Sequence, residues 1–454
     1  MIDFDKFAKC SKPGPRYTSY PTAVEFSEKF NPEIYKKALN KNSNLPLSIY
    51  LHLPFCKSAC YFCGCNVIYT NKEDKKQNYI KYLEKEINIL KNYINTNSPV
   101  LQLHFGGGTP TFYDAKSLER IISLIKNTFN NFDVDAENSC EIDPRHFNED
   151  HMKVLSEYGF NRLSFGVQDF NEKVQISINR NQPFSMVENA TNIARKYGVN
   201  NINFDLIYGL PEQNLQTFKE TLNKVLKLEP TRLAIFNYAH VPWIKKTMRK
   251  IDEYRLPQPK EKLLILEYII KHLLDNKYKM IGMDHFALEN DELYQAYKKG
   301  KLKRNFQGYT AKKYAQTIGI GLTSIGEGED YYVQNHKDYD AYVRALESNE
   351  LPICKGIKLD YDDLIRKNVI MKLMNNLTLD IKRIEHKFNI DFKTYFKESI
   401  KKLDEYIDLN LVSIDSNYIK ISPNGVMLVR NIVMAFDKYI DTKIAGENKF
   451  SKTI

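Results

Sequence analysis

The chain has 454 residues, of which 43% are hydrophobic and 27% are charged. This apolar content excludes a largely disordered protein, and the length favours about two globular domains with a sizeable core. The formal net charge of +10 would suit a nucleic acid, a membrane surface or an acidic small molecule, but lysines mixed with acids, as in residues 72–76, indicate an ordinary solvated surface.

The sequence predicts a protein that is neither exported nor membrane-spanning. Residues Met1–Lys12 carry several charges and contain no apolar run like that of a signal peptide. The most apolar stretch, Leu263–Leu274, is interrupted by Glu267 and Lys271, which is typical of an amphipathic helix. Four of the seven cysteines lie within ten residues, a distribution that does not suit a disulfide scaffold. We therefore expect a cytoplasmic location, where thiols stay reduced.

Residues 1–44 are predicted to form an N-terminal arm. Pro13, Gly14, Pro15 and Pro21 lie in this segment. Proline lacks an N–H group and glycine loses much backbone entropy on ordering, so both oppose regular helix. We expect the arm to be irregular.

Six apolar runs alternate with helical stretches between residues 47 and 238. The predicted strands are Leu47–Leu53, Leu101–Phe105, Ser139–Ile142, Arg162–Val167, Asn201–Ile207 and Arg232–Asn237. Segments between them, such as Lys116–Phe129, place Leu and Ile three or four residues apart, as helices that cover a parallel sheet do. Because βα units connect by right-handed crossovers, we expect an α/β fold, a partial (β/α)6 barrel like that of the TIM fold, over residues 45–335.

Glycines or polar residues follow the end of each predicted strand. In chain order they are Cys56–Cys65, Gly106–Gly108, Glu141 with Asp143, Gln168, Asp205 and residues 238–240. In barrels of this type the loops at the carboxyl ends of the strands carry the chemistry. The sequence therefore predicts an active site at this rim.

Residues 336–454 are predicted to form a second domain. The apolar spacing of Leu359–Tyr439 is mostly helical, and a hairpin is predicted at Val412–Ser422 around the turn residues 415–417. Helices combined with a hairpin resemble a winged-helix layout.

Cys56, Cys60 and Cys63 lie in one short loop after the first predicted strand. Three thiolates within a few ångströms can bind three irons of a cubane cluster and leave the fourth iron open. Zinc is the alternative, but structural zinc takes four ligands, usually as two separated pairs, and the fourth candidate Cys65 is crowded against Cys63. The spacing favours a [4Fe-4S] cluster.

A second set of candidate residues follows the other strands. Gly107, Gly108 and Thr109 come after the second strand, where glycine lets the backbone approach a ligand and offer N–H donors, although a tight structural turn is the alternative. The further candidates are Glu141, Gln168, Arg180 and Asp205. Carboxylates suit an ammonium group or ribose hydroxyls, and arginine pairs with a carboxylate. Each could alone be a surface residue or a rim salt bridge, but together they could cradle a zwitterion.

The spacing Cys56-x3-Cys60-x2-Cys63, with Phe62 before the third cysteine, resembles the signature of the radical S-adenosylmethionine (SAM) superfamily. The resemblance implies a radical SAM barrel and a [4Fe-4S] cluster whose open iron is chelated by SAM. One electron from the cluster would cleave SAM to a 5′-deoxyadenosyl radical. The cofactors would then carry the difficult chemistry while the protein positions them.

Longer strings distributed over most of the chain occupy residues 16–22, 63–66, 166–170, 236–240, 281–286 and 305–310. Together they resemble the family of the oxygen-independent coproporphyrinogen III oxidases. The resemblance implies oxidative decarboxylation of two propionates of coproporphyrinogen III to vinyl groups, giving protoporphyrinogen IX in haem biosynthesis. It also implies an electron donor and an unidentified electron acceptor.

The same resemblance assigns roles to single residues. One SAM would contact Tyr50, Gly107, Glu141 and Ile325. A second SAM would contact Phe62, Gly108, Thr109, Gln168, Arg180, Asp205 and Ala239. The catalytic candidates are Cys65, Tyr50 and His52, and the candidates that line the substrate, beneath the covering arm, are Arg16, Tyr17, Phe306 and Gln307.

Two alternatives to this function stay open. A haem chaperone of the same superfamily would keep the barrel and the cluster, but it is expected to lack the string at residues 16–22 and Cys65, which are present. An RNA-modifying radical SAM enzyme or another nucleic-acid binder would fit the positive charge, but the basic residues lack the clustering of such proteins. We expect a tetrapyrrole substrate, no nucleic-acid partner and a monomer.

Overall fold

The computed structural model describes residues 4–440 of the chain. Its helices are α1 (Phe4–Cys10), α2 (Pro32–Lys41), α3 (Glu73–Leu90), α4 (Ala115–Thr128), α5 (Glu149–Glu157), α6 (Glu172–Ser177), α7 (Phe184–Lys196), α8 (Leu215–Lys227), α9 (Pro259–Asp275), α10 (Glu292–Lys298), α11 (Tyr339–Glu347), α12 (Tyr361–Asn376), α13 (Ile381–Phe388), α14 (Phe392–Tyr395), α15 (Lys397–Lys401), α16 (Asp404–Asp408) and α17 (Val429–Val433).

The strands of the same residues are β1 (Leu47–Leu53), β2 (Phe55–Cys56), β3 (Ile68–Tyr69), β4 (Val100–Gly107), β5 (Phe132–Ile142), β6 (Arg162–Gln168), β7 (Asn201–Tyr208), β8 (Arg232–Asn237), β9 (Tyr278–Ile281), β10 (His285–Leu288), β11 (Lys303–Asn305), β12 (Gly308–Thr310), β13 (Gln316–Ile320), β14 (Ile325–Glu327), β15 (Tyr331–Asn335), β16 (Ile353–Lys358), β17 (Thr378–Asp380), β18 (Val412–Ile414) and β19 (Tyr418–Ile421).

The described residues form two compact units. The barrel unit comprises residues 26–257 and 312–358, and the flanking unit comprises the described parts of residues 1–25, 258–311 and 359–454. These limits differ from the predicted domain boundaries at residues 44 and 335, because the chain leaves the barrel unit at residue 258 and returns to it at residue 312. The predicted arm is also divided between the two units, at residue 25.

The barrel unit is built on parallel strands in the order β1-β4-β5-β6-β7-β8, with helices between them. All six predicted strands are present, and the α/β fold of six parallel βα units is confirmed. On the other side of β1 lies β13, a seventh parallel strand, followed by the antiparallel strands β14, β15 and β16. These four strands were not predicted from the sequence.

Burial explains why these segments take their structures. Every residue of β1 except Tyr50 is buried, as expected for a parallel strand that is covered on both faces. Helix α4 buries one face, which carries Leu118, Ile121, Ile122 and Ile125. The side chain of Asp114 accepts a hydrogen bond from the Ser117 N–H and caps the start of this helix.

The flanking unit contains the predicted C-terminal hairpin. Strands β18 and β19 pair antiparallel, and Asp415 Oδ1 accepts hydrogen bonds from the N–H groups of Asn417 and Tyr418 in the turn. Strand β17 pairs with the other edge of β19. The mostly helical character predicted for residues 359–439 is confirmed by helices α12 to α17.

The predicted arm is less irregular than its composition suggests. Residues 11–22, which hold the four glycine and proline residues, contain no helix, as predicted. However, α1 and α2 lie on either side, so the expectation of an irregular arm is wrong at Phe4–Cys10 and Pro32–Lys41. Helix α2 begins where Asn31 accepts a hydrogen bond from the Glu33 N–H, with Pro32 at its first position.

Helix α9 covers the most apolar stretch of the sequence and is amphipathic, as predicted. It buries Ile265, Leu266, Ile269, Ile270 and Leu273, whereas Leu264 and Leu274 are exposed. Within residues 4–440 no helix combines the length and the apolar character that crossing a bilayer requires.

A buried carboxylate joins helix α3 to the strands beyond β13. Glu86 accepts hydrogen bonds from the Gly321 N–H at 2.8 Å, from Tyr342 Oη at 2.6 Å and from Asn335 Nδ2 at 2.6 Å. Burial disfavours the charged form and raises the pKa of Glu86 to about 7 from its ordinary value of 4.5, although these three donors oppose the shift.

We predict that the stability difference between the wild-type protein and Glu86→Gln depends on pH. Between pH 4.5 and 7 the folded state keeps a proton on Glu86 that the unfolded chain releases, so the wild-type free energy of unfolding, relative to the variant, falls as pH rises. The whole change is about 3 kcal/mol and ends above pH 7. Urea unfolding at a series of pH values measures it, and a pH-independent difference would contradict the raised pKa.

Candidate active site

A cavity of about 230 Å³ lies at the carboxyl ends of the parallel strands of the barrel unit. The predicted site residues that line it are Cys56, Cys60, Phe62, Cys63, Cys65, Gly107, Gly108, Thr109, Glu141, Gln168, Arg180 and Asp205. They come from several different strand ends and loops. The structure therefore brings together, in one cavity, residues that are up to about 150 positions apart in the sequence. This is expected at the rim of a barrel, where the loops after different strands meet.

The cysteines lie in a loop whose conformation is fixed by contacts with the rest of the barrel unit. We call residues 56–66 the cysteine loop. Strands β2 and β3 pair in parallel across its base, with Phe55 opposite Ile68. The Tyr61 N–H donates to the Ile178 carbonyl at 2.9 Å. Tyr61 and Phe62 pack against a buried apolar cluster that includes Ile178, so the loop conformation is fixed by both hydrogen bonds and packing.

The thiols of the cysteine loop have different environments. Burial raises the pKa of Cys56 to about 12, although a 3.4 Å hydrogen bond with Thr109 Oγ1 opposes the shift. Hydrogen bonding with Cys65 lowers the pKa of Cys63 below its ordinary value, and the same contact raises that of Cys65. Because metal ligation requires thiolates, binding a cluster would release the protons that these groups hold.

The glycines after β4 allow two segments to approach each other closely. A Cβ atom on Gly107, whose φ is +110°, would lie 2.6 Å from the His52 ring, and one on Gly108 would lie 2.7 Å from the Phe55 carbonyl oxygen. The N–H groups of Gly107, Gly108 and Thr109 donate to the Glu141 carboxylate, the Leu53 carbonyl and the Phe55 carbonyl, respectively. These three N–H groups therefore bind residues 107–109, which we call the glycine turn, to neighbouring segments. They are not free to donate to a ligand, contrary to the prediction.

Tyr50 and His52 form a hydrogen-bonded chain that ends on the cysteine loop. His52 Nε2 lies 3.0 Å from the Asn66 carbonyl oxygen, and Nδ1 lies 2.9 Å from Tyr50 Oη. A carbonyl only accepts hydrogen bonds, so Nε2 carries the proton and Nδ1 accepts from the tyrosine. Burial lowers the pKa of His52 to about 4, so this ring is neutral at physiological pH.

Glu141 lies on β5 and contacts His104 on the neighbouring strand β4. His104 Nε2 lies 3.3 Å from Glu141 Oε1, and its Nδ1 lies 2.7 Å from Ser139 Oγ. Although burial opposes ionisation, His104 and the Gly107 N–H hold the pKa of Glu141 below its ordinary value. Tyr50 stacks on His104 with ring centroids 5.8 Å apart. His104 was not predicted as a site residue, because it lies in the middle of β4, where the alternation of apolar residues gives no functional signal.

Gln168 lies on β6 and Asp205 lies on β7. Asp205 accepts hydrogen bonds from Ser164 Oγ and Asn203 Nδ2, both at 2.9 Å. Gln168 ends β6 with a left-handed φ of +65°, at a shift in the register between β6 and β7. Asp205 lies within β7, opposite Gly166 at that register shift, and both residues line the cavity.

Arg180 is already bound within the protein. Its Nη1 donates to Asp143 Oδ2 at 3.0 Å and its Nη2 to the Gly166 carbonyl at 2.7 Å. Asp143 also pairs with Arg145, and both guanidinium groups contact Cys60 Sγ. Although burial opposes it, the charge of Arg180 together with Arg145 holds the pKa of Asp143 well below its usual range. Arg145 was not among the site residues predicted from the sequence.

Several predicted site residues do not line the cavity. Tyr50, His52, Ala239 and Ile325 belong to the barrel unit, where Ala239 follows β8 and Ile325 begins β14. Arg16, Tyr17, Phe306 and Gln307 belong to the flanking unit. There, Tyr17 Oη donates to Asp437 Oδ2 at 2.8 Å, and Arg16 lies 3.4 Å from Asp284. The roles predicted for these residues stay predictions.

The donor set of the cysteine loop fits a [4Fe-4S] cluster. Cys56, Cys60 and Cys63 face one cavity, and Thr109, Arg145 and Arg180 lie within hydrogen-bond distance of two of the three sulfurs. Hydrogen bonds to the sulfurs are typical of iron–sulfur sites. Over residues 4–440, no three His, Cys, Asp or Glu side chains converge as ligands of one metal ion. A cubane cluster does not need such convergence, because each cysteine binds a different iron.

Comparisons with known proteins agree with this architecture. The model of the radical SAM superfamily matches residues 50–225, and that of the HemN C-terminal domain matches residues 359–428. An oxygen-independent coproporphyrinogen III oxidase of Helicobacter pylori strain J99 is 57% identical over 100% of this chain and 99% of its own length. That of Escherichia coli K12 is 42% identical over 100% and 99% of the two chains.

A solved structure described as the coproporphyrinogen III oxidase HemN from Escherichia coli, a radical SAM enzyme, is similar over 97% of this chain and 99% of its own, with a TM-score of 0.92 and 42% identity. Fold, cysteine loop and cavity together are those of a radical SAM protein, with its [4Fe-4S] cluster and SAM. The chain belongs to the family of the oxygen-independent coproporphyrinogen III oxidases.

Serine substitutions should separate the cluster ligands from Cys65. We expect Cys60→Ser to lose both the bound cluster and enzymatic activity, because serine is a poor ligand for these irons. Cys65→Ser should keep the cluster and lose activity. Iron and sulfide analysis with visible absorption, on protein reconstituted without oxygen, measures the first quantity.

Cys354→Ser is the matched control, since Cys354 lies on β16 outside the cysteine loop. This variant should behave like the wild-type protein in both measurements. An intact cluster in Cys60→Ser would contradict the assigned ligand set.

Proposed function

We propose that this protein catalyses the oxygen-independent oxidative decarboxylation of two propionate side chains of coproporphyrinogen III, giving protoporphyrinogen IX in haem biosynthesis. The observation that carries the proposal is the cysteine loop at the barrel cavity, within a chain that matches oxygen-independent coproporphyrinogen III oxidases over its whole length. Family-level similarity of this extent links the shared site to a shared substrate.

The reaction is balanced for each side chain. A propionate loses one hydrogen atom from its β-carbon, then CO2 and one electron, and a vinyl group remains. When bound, the cluster and SAM would supply a 5′-deoxyadenosyl radical able to remove a hydrogen atom from an unactivated C–H bond, with one electron taken from the external donor and methionine released. The hydrogen atom ends in 5′-deoxyadenosine, and the electron passes to an acceptor outside the chain.

The protein's own residues supply ligands, orientation and exclusion of water. Cys56, Cys60 and Cys63 would hold the cluster, and the carboxylates of Glu141 and Asp205 suit the ammonium group and ribose hydroxyls of SAM. The neutral His52, fixed by Tyr50, supports the Asn66 carbonyl beside Cys65. Cys65 lines the cavity as the candidate that acts on the substrate.

A second SAM belongs to the proposal, because the family that the sequence resembles binds two, which would match the two propionates. Its contacts would include Phe62, Gly108, Thr109, Gln168 and Arg180, together with Asp205 and Ala239. Arg180 would have to contact the second SAM while it keeps its hydrogen bond to Asp143, or it would exchange that hydrogen bond for the contact with SAM.

We propose a cellular location, an oligomeric state and an electron donor for the enzyme. It would work in the cytoplasm as a monomer, with an external electron donor that reduces the cluster. The unpaired state of all seven cysteines supports a reducing compartment, because ligand thiols survive there. Sedimentation of the purified protein tests the oligomeric state.

An anaerobic assay tests the activity directly. Reconstituted protein is mixed with SAM, a reductant and coproporphyrinogen III, and 5′-deoxyadenosine and the vinyl product are measured together. We expect both to accumulate in proportion with the wild-type protein and neither with Cys60→Ser. Haem binding without any turnover would contradict the proposal and would favour a haem chaperone.

A further inference from the structure

The turn after β5 holds two arginines against one cluster ligand. Asp143 ends the strand and caps a short turn at Pro144–His146, where its Oδ1 accepts from the Arg145 N–H at 3.0 Å. The same carboxylate binds the Arg145 side chain through Nε at 3.0 Å and through Nη2 at 2.7 Å. This two-point contact fixes the plane of the guanidinium group.

Both arginines direct an N–H group at the sulfur of Cys60. Arg145 Nη2 lies 3.4 Å from Cys60 Sγ, and Arg180 Nη1 lies 3.5 Å from it. The other two cysteines of the ligand set have no arginine this close among the contacts of the described residues; Cys56 has Thr109 instead. The environment of the three ligands is therefore asymmetric, because both arginine hydrogen bonds go to Cys60, although the charges of Lys245 and Arg180 also act on Cys63.

The group around Cys60 carries an excess of positive charge. Two guanidinium groups face one carboxylate, and the side chains of Arg145, Arg180 and Asp143 are only 16%, 8% and 7% exposed. An uncompensated buried charge is costly, and an anionic cluster bound through Cys60 would compensate it.

We propose that Arg145, held by Asp143, is a positioning residue that hydrogen-bonds the Cys60 ligand and raises the reduction potential of the cluster. The inference rests on the proposed cluster site and deepens it. Reduction adds one negative charge to the cluster, and a fixed cation a few ångströms away stabilises that charge. Hydrogen bonds to ligand sulfurs act in the same direction.

Two substitutions of Arg145 test the inference. Arg145→Gln removes the cation, and Arg145→Lys keeps a cation but cannot make the two-point contact with Asp143. The matched control is Arg120→Gln, because Arg120 lies on α4 in an ion pair with Glu84 in which both side chains are 49% exposed. Each protein is reconstituted without oxygen and titrated in the absence of SAM.

The measured quantity is the midpoint potential of the cluster, followed by the electron paramagnetic resonance signal of the reduced form during titration with dithionite. One electron passes from dithionite to each cluster, and no substrate is involved. We expect a midpoint potential more negative than wild type for Arg145→Gln, an intermediate one for Arg145→Lys and an unchanged one for Arg120→Gln. Iron content and the circular dichroism of the backbone should stay at wild-type values.

The results of this titration distinguish a failure of the role of Arg145 from a failure of the proposed function. Unchanged potentials in both Arg145 variants, in a wild-type protein that holds its cluster and turns over, would overturn the role of Arg145 alone. A wild-type protein that assembles no cluster would overturn the proposed function. If Arg145→Gln loses its iron, Arg145→Lys decides: a shifted potential supports the inference, and a wild-type potential overturns it.

Discussion

The close approach of the cysteine loop to the glycine turn is the constraint on which the site depends. A side chain at Gly107 or Gly108 would collide with the His52 ring or with the Pro54–Phe55 backbone. Without side chains there, the turn after β4 lies directly against the segment that leads into Cys56, and its N–H groups bind that segment. The three sulfurs are thereby held at one cavity by backbone contacts between adjacent parallel strands, whose carboxyl ends meet at the same edge.

The polar groups around this constraint are mutually paired before any cofactor binds. Glu141 is held by His104 and the Gly107 N–H, and Asp143 by two arginines. Such networks keep charged groups oriented in buried surroundings, where unpaired groups would be costly. These side chains are ordered when the protein folds, so the cofactors enter a prearranged site. The flanking unit has polar contacts of its own, among them Tyr17 with Asp437.

Much of the barrel and of the candidate site could be predicted because local signals were strong. Apolar runs that alternate with helical segments mark β1 and β4 to β8, and the cysteine spacing marks the cluster loop. Strand β13 was missed because Gly319 interrupts the apolar pattern of its five residues, and this glycine packs against the backbone of Ile325. The contacts of the two arginines could not be predicted. Arg180 pairs with Asp143, and Arg145 lies beside Cys60, through contacts between distant segments that leave no local pattern in the sequence.

A Mössbauer spectrum of protein reconstituted with ⁵⁷Fe, recorded before and after SAM is added, tests the central claim most directly. Three cysteine ligands on a cubane cluster leave one iron different from the other three. The account predicts a [4Fe-4S] spectrum in which the signal of one iron changes when SAM binds, while those of the other three stay the same. A spectrum that SAM leaves unchanged, or protein that takes up zinc in place of iron and sulfide, would contradict the radical SAM site.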